Sequence, residues 1–421
     1  MSLSAPFTLE LTAVAHGGTA LGRHEGRVIF VPYALPGETV RVEVVEEQQR
    51  YAHARLLEVL TPSADRVQPP CPYFGRCGGC HWQHAAYQAQ LRFKTQVVAD
   101  QLTRIGRLSN PPVEPTLADP TGWAYRNQAR FHPATGEGLG FYTAGGEEVV
   151  PIETCLILHP LLSELYDLLD LDLPNLTALT LRCGAATQEL MIVLETADDE
   201  PPALLLDLPV SCVLLLSDGT AVNLIGSNHF HEVIAGHNYR VSASSFFQAN
   251  SEQAARLVEL ALAYLEPQSH QHILDGYCGV GLFTVPLAEQ AGLVTAVEEH
   301  TAAVEDLLVN TEEMDNVIVV EGTVEAALAN LEAPLDAALV DPPRTGLTME
   351  ALGGLVAAAP QRLVYVSCDP ATLARDSRAL VSAGYRLDRV QPLDMFPQLS
   401  LIHISEPTRL LSISYAVFCL K

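Results

Sequence analysis

Between residues 236 and 395 the chain repeats one pattern, and that pattern leaves few folds open. Short apolar runs at His272–Leu274, Val294–Val297, Val317–Val320, Ala337–Val340 and Leu363–Val366 are separated by mostly Ala/Leu/Glu-rich stretches of helical composition. An unbroken apolar run suits a strand covered on both faces, and a helix is the usual way to bring the chain back for a parallel partner. The segment therefore reads as α/β, a Rossmann-like doubly wound domain over residues 241–398. Such sheets bind ligands at the carboxyl ends of their strands, which directs attention to the residues there.

Upstream the pattern changes. Residues 1–62 carry short alternating runs (Phe7–Val14, Arg27–Val31, Glu38–Val45, Ala54–Leu60) punctuated by Gly17-Gly18, Gly22, Gly26 and Pro36-Gly37. That spacing predicts a small five-stranded, OB-like β-barrel. A Pro-containing stretch at 62–72 marks a boundary, and residues 63–240 read as a central α+β domain. Within it, residues 83–105 predict a helix that is a candidate to pack on the catalytic domain. No run of 18 apolar residues occurs, so no membrane span is expected. The first residues, MSLSAPFTLELTAV, do not form a signal peptide. Nine cysteines without one suggest a reducing cytoplasm, where clustered thiols bind metal or do chemistry more often than they pair.

The formal net charge of −26 argues at first against a nucleic-acid partner. Divided along the chain it says something else: residues 1–160 carry a net −2, and residues 161–421 the remaining −24. Residues 71–131 hold a net +4, from Arg76, Arg92, Lys94, Arg104, Arg107, Arg126 and Arg130. An RNA surface is expected across the barrel and this stretch, with an ordinary solvated face as the plainer reading.

Four places carry chemistry. In Ile273-Leu274-Asp275-Gly276-Tyr277-Cys278-Gly279-Val280-Gly281 a strand ends in an acid and runs into a Gly-x-Gly turn, and Glu298 ends the next strand. A missing third glycine makes an adenosyl ligand without a pyrophosphate a better fit than a dinucleotide. Asp341 ends a strand before Pro342-Pro343, where a stiff loop would hold its carboxylate at the ligand edge. Cys368 ends another strand before a helix starting near Pro370, whose positive end would favour a thiolate; the plainer reading is a buried apolar cysteine. Finally, Cys71, Cys77 and Cys80 lie within ten residues, and Cys155 completes a four-thiol set that suits either zinc or an iron–sulfur cluster.

Together these residues resemble the RNA uracil-5-methyltransferase family, in particular its 23S ribosomal RNA branch, from about His16 to Pro397. The segment from His16-Gly17-Gly18 to Gly37-Glu38 looks like a TRAM domain, an OB-type RNA-binding module. Tyr125-Arg126-Asn127, Ser245-Phe246-Phe247-Gln248-Ala249-Asn250 and Ser367-Cys368-Asp369-Pro370-Ala371-Thr372-Leu373-Ala374-Arg375-Asp376 are similar to family motifs. The resemblance implies that Gln248, Tyr277, Glu298 and Asp341 contact S-adenosylmethionine and that Cys368 is the nucleophile. It also implies that Cys71, Cys77, Cys80 and Cys155 hold a 4Fe-4S cluster. Leu282 and the Gly322-Thr323 turn depart from the pattern, Leu282 standing where Asn is frequent. The expected protein is a cytoplasmic monomer that methylates C5 of a 23S ribosomal RNA uridine through a Cys–C6 adduct. The alternatives are the same chemistry on transfer RNA, an RNA-binding protein that has lost catalysis, and, more remotely, an iron–sulfur redox protein.

The end of the chain breaks the resemblance. The family's general base, a Glu, falls seven residues after the Phe of a Phe-Pro pair; here Phe396-Pro397 leads to His403, and Leu401 replaces the family's His. Residues 399–421 read as an atypical tail encoded by a frameshift or by non-native DNA. If genuine, such a tail would lack the base and leave methyl transfer without efficient release; the alternative is a chain missing its last sheet strand.

Overall fold

The computed structural model describes residues 5–136, 138–170, 173–201, 208–331 and 333–400, together with the backbone of 415–420. Five strands, β1 (Phe7–Val14), β2 (Ala20–His24), β3 (Arg27–Val31), β4 (Thr39–Glu47) and β5 (Tyr51–Thr61), close into a barrel in the order β1-β2-β3-β5-β4. Its interior is filled by Leu9, Leu11, Ile29, Val31, Val40 and Val42, each from an alternate position of its strand. Closure removes the free edges that so short a sheet would otherwise expose.

Helix α1 (Tyr87–Arg104) follows the cysteine-rich segment. Ala89, Phe93, Val97, Val98 and Leu102 form its buried stripe. Val97, Val98 and Leu102 pack in one core with residues of the helix that follows Cys368, so α1 lies against the C-terminal domain. The chain after it bonds alongside the strand at 387–393, the Glu114 amide donating to Val390 O at 2.8 Å and the Leu117 amide to Pro392 O at 3.0 Å.

The central region is a mixed seven-stranded sheet in the order β12-β11-β10-β9-β6-β7-β8. Its strands are β6 (Gln128–Pro133), β7 (Leu139–Tyr142), β8 (Val149–Pro151), β9 (Leu176–Cys183), β10 (Leu190–Thr196), β11 (Ser211–Leu215) and β12 (Ala221–Ile225). Helix α2 (Pro160–Asp167) packs Leu162 and Leu165 against it. A hairpin, β13 (His229–Ile234) and β14 (His237–Ser242), leads into the C-terminal domain.

That domain alternates as the pattern predicts: α3 (Ser251–Leu265), β15 (His272–Gly276), α4 (Thr284–Ala288), β16 (Leu293–Glu298), α5 (Thr301–Asn310), β17 (Val317–Glu321), α6 (Val324–Ala329), β18 (Ala337–Val340), α7 (Met349–Ala358), β19 (Arg362–Ser367), α8 (Pro370–Ser382) and β20 (Leu387–Leu393). The sheet order is β17-β16-β15-β18-β19-β21-β20, where β21 is Tyr415–Leu420, with β15 to β19 parallel. From β15 the chain steps outward through β16 and β17, then returns to the other side for β18 and β19. The switch point between β15 and β18 is where a doubly wound sheet opens a crevice.

Strand β21 (Tyr415–Leu420) runs antiparallel between β19 and β20, so the expected gap in the sheet is filled. Tyr-Ala-Val-Phe-Cys-Leu is β-prone enough to occupy that slot on composition alone. Leu401 and His403 lie outside the described residues. Among the described residues no helix is long and apolar enough to cross a membrane.

Candidate active site

Four of the five residues singled out for cofactor and nucleophile lie at the ends of adjoining strands. Tyr277 follows β15, Glu298 ends β16, Asp341 follows β18 and Cys368 follows β19. The turn after β15 is built for backbone exposure. Gly279 has φ +56° with open space where a Cβ would stand, and Gly281, at φ +97°, would place one 2.7 Å from Leu307. Glu298 is fixed from below: Oε2 accepts the Gly279 amide, and Oε1 the amides of Glu299 and His300, all at 2.9 Å. A carboxylate so oriented keeps lone pairs for a ligand's hydroxyls.

Asp275, within β15, accepts the Thr284 hydroxyl at 2.6 Å. Burial, with the Glu298 charge, lifts its carboxyl to about 7. Burial and the charge of Asp275 lift Asp341 to about 8. Two recessed carboxylates that repel each other form a site that gains from a cation.

Cys368 is buried at 8 % exposure. The expectation that the helix end would favour its thiolate is not met. Asp369 caps α8 itself, accepting the amides of Ala371 and Thr372 at 2.8 Å each. Burial, with Asp341 and Asp369 outweighing Arg344, pushes the thiol up to about 12. Burial and these charges favour the protonated thiol over the thiolate.

Gln248 lies in the loop before α3, which is pinned from both sides. Gln248 O and Ala249 O accept from Asn127, at 3.0 Å each, so two motifs separated in sequence meet. Asn250 donates to Asp119 at 2.9 Å and to Met395 O at 3.2 Å, and caps α3 through the Gln253 amide.

The four thiols come together elsewhere. Cys71, Cys77, Cys80 and Cys155 line one cavity with Phe74, Phe141, Ile152 and Ile157, and all four are unpaired by disulfides. The Gly79 amide donates to Cys77 Sγ at 3.3 Å. A Cβ on Gly78 would stand 2.9 Å from Tyr142 O, so the loop needs glycine there. Burial, with the charges of the neighbouring thiols, pushes Cys77 up to about 11 and raises Cys80 and Cys155 as well. A cationic group would reverse that penalty. Among the described residues no three ligating side chains converge tightly enough for a single ion.

The basic stretch is weaker than its sequence suggests. Lys94 is buried against Asp394, while Arg92, Arg104 and Arg130 pair with Asp65, Asp100 and Glu195. Three of these partners lie outside residues 71–131, so counting charge within that window overstates the free charge.

Sequence reasoning missed the residues that join these parts. His16, in the barrel turn, reaches Asp369 (3.7 Å) beside the nucleophile candidate, and Trp82 Nε1 donates to Gly18 O at 2.8 Å. Gln90 and Lys94 interrupt the buried stripe of α1 at i, i+4 spacing. That was the one legible sign of a buried polar contact.

Residues 231–407 match the family described as tRNA (Uracil-5-)-methyltransferase, and residues 7–57 match the TRAM domain. An "uncharacterized RNA methyltransferase" of Thermosynechococcus vestitus is 34 % identical over 430 residues, covering 94 % of this chain and 96 % of that protein. The chain belongs to the RNA uracil-5-methyltransferase family. A Streptomyces avermitilis relative with the same description is 36 % identical over 425 residues, covering 95 % and 98 %. The crystal structure of Pyrococcus abyssi tRNA (uracil-54, C5)-methyltransferase in complex with S-adenosyl-L-homocysteine is similar with a TM-score of 0.76 and 26 % identity. It covers 99 % of this chain and 100 % of that one. The chain is thus an S-adenosylmethionine-dependent RNA methyltransferase with an N-terminal TRAM barrel.

Proposed function

We propose that the protein methylates C5 of a uridine in 23S ribosomal RNA through a covalent adduct on Cys368. The observation that carries this reading is the convergence of Tyr277, Glu298, Asp341 and Cys368 on adjoining strand ends at the switch point. In this reading Glu298 holds the ribose hydroxyls, Tyr277 and Gln248 flank the cofactor, and Asp341 faces its sulfonium. Cys368 loses its proton and adds to C6 of a uracil flipped out of the RNA, giving an enolate. C5 then takes the methyl group, releasing S-adenosylhomocysteine. A base removes the C5 proton so that the thiolate can leave and the double bond re-forms.

Cys71, Cys77, Cys80 and Cys155 would hold a 4Fe-4S cluster, supported by their shared apolar cavity. Bound there, it would tie the Cys71–Cys80 loop to Cys155. The family match runs to residue 407, and residues 399–421 are read as a departure from a native end that would carry Glu where His403 stands. The protein is read as a cytoplasmic monomer.

A second substrate has its own support. The Pyrococcus enzyme named for uracil-54 of tRNA spans nearly this whole chain, barrel included, so the barrel alone does not separate ribosomal from transfer RNA. Mapping 5-methyluridine in both RNAs from a strain lacking the gene decides. Loss from 23S RNA alone supports the proposal, and loss from tRNA alone overturns the choice of substrate.

A further inference from the structure

Phe396–Gln398 lies just ahead of the tail and is held by residues from the other end of the chain. The amides of His81 and Trp82, directly after Cys80, both donate to Gln398 O, at 2.9 and 3.0 Å. Gln90 clasps the same residue: its Oε1 accepts the Gln398 amide at 3.0 Å, and its Nε2 donates to Gln398 Oε1 at 2.9 Å and to Trp82 O at 3.1 Å. Lys94 donates to Phe396 O and the Tyr125 hydroxyl to Pro397 O, at 3.0 Å each. Three consecutive carbonyls thus each have a partner outside the segment. Gln398 has φ +69°, a conformation that a residue with a side chain keeps only where its surroundings over-determine it.

The anchoring loop carries Gly78 and Gly79 between Cys77 and Cys80, with the Gly78 amide on Tyr142 O at 2.8 Å and the Gly79 amide on Cys77 Sγ at 3.3 Å, so its path depends on where Cys77 and Cys80 are fixed. Cys80 shares its apolar surroundings with Tyr125 and Phe396, so whatever fixes Cys80 steadies both routes into the segment. We propose that the Cys80–Trp82 loop is a positioning element for Phe396–Gln398, the segment that leads into position 403. The group bound by the four thiols orders Phe396–Gln398 through the His81 and Trp82 amides. This rests on the cluster reading above. It gives the cysteines a role in ordering the chain that leads to position 403, beyond holding the central region together.

The test is hydrogen exchange on the full-length protein, cluster-loaded and after anaerobic chelation of the iron. A Gln90→Leu variant that keeps its iron is measured alongside. Exchange at the His81, Trp82 and Gln398 amides should rise at least about tenfold on stripping, and that of Gln398 again in Gln90→Leu, while amides of β3 and β15 stay unchanged. Unchanged exchange on stripping an iron-loaded protein overturns the coupling alone. Loss of protection throughout the chain also overturns it, because the thiols would then be merely structural. Iron and sulfide absent after anaerobic reconstitution overturn the coupling and the cluster reading together.

Discussion

Lys94→Met removes one half of a buried ion pair and should be costly in a specific way. Lys94 is 1 % exposed and Asp394 fully buried; the ammonium bonds to the carboxylate and to Phe396 O, while the Tyr87 hydroxyl donates to Asp394 Oδ2 at 2.9 Å. Without the lysine, Asp394 keeps one hydrogen bond for a buried charge, and Phe396 O keeps only the Leu399 amide, at 3.3 Å. Removing one partner of such a pair costs about 3–5 kcal/mol, whereas replacing both with apolar groups is often neutral. Lys94→Met/Asp394→Leu should therefore recover most of the loss. Burial already raises the Asp394 carboxyl above its ordinary range, with the lysine opposing it. In the single variant the folded state takes up a proton that the unfolded chain, with its lower carboxylate value, does not. Stability then grows as pH falls, and the deficit narrows between pH 8 and pH 5. Urea denaturation followed by Trp82 fluorescence reports this region directly, since Trp82 lies 5.9 Å from the ammonium. A deficit under about 1 kcal/mol would refute the reasoning. So would a double variant as weak as the single one, or a deficit that widens in acid.

Further outcomes concern the site. His403→Glu should turn a chain that accumulates an RNA–protein adduct into one that turns over; equal adduct lifetimes in a denaturing gel would sink that assignment. Because Asp341 is lifted to about 8 and must be ionised to face a sulfonium, S-adenosylmethionine should bind up to about tenfold more weakly per pH unit below 8. Neutral S-adenosylhomocysteine should show no such trend by calorimetry, and parallel trends would exclude Asp341 as the charge partner. By the same electrostatics, iodoacetamide should alkylate Cys368 faster with S-adenosylmethionine bound than with S-adenosylhomocysteine. Mass spectrometry of the Cys368 peptide reads the difference.

What was legible in the sequence was local. Arg27–Val31 and Ala337–Val340 are strands at the predicted bounds, because unbroken apolar runs flanked by turn residues have few other uses. Ala20–His24 escaped notice because Gly22 breaks its pattern, yet glycine is needed there: a Cβ would meet Glu10 O at 2.2 Å. The predicted helix from residue 83 starts at Tyr87, since Gln83 and His84 are buried in the turn ahead of it. The misses at the site were of another kind. Lys94 was counted as surface charge because its partner is 300 positions away, and the helix end beyond Cys368 looked open because Asp369 was read as motif, not cap. The cysteines could be grouped from spacing, but their link to Gln398 is made by backbone amides, which leave no mark in side-chain chemistry.

If Cys368 attacks C6 of a uracil in RNA, 5-fluorouridine-substituted RNA will trap the adduct. Fluorine at C5 cannot be removed as a proton is, so the adduct is trapped whatever residue stands at position 403. With methyl-labelled S-adenosylmethionine, the protein should carry label and RNA together through a denaturing gel, and Cys368→Ala should carry neither. Methyl transfer to ordinary uridine RNA undiminished in Cys368→Ala would contradict the account.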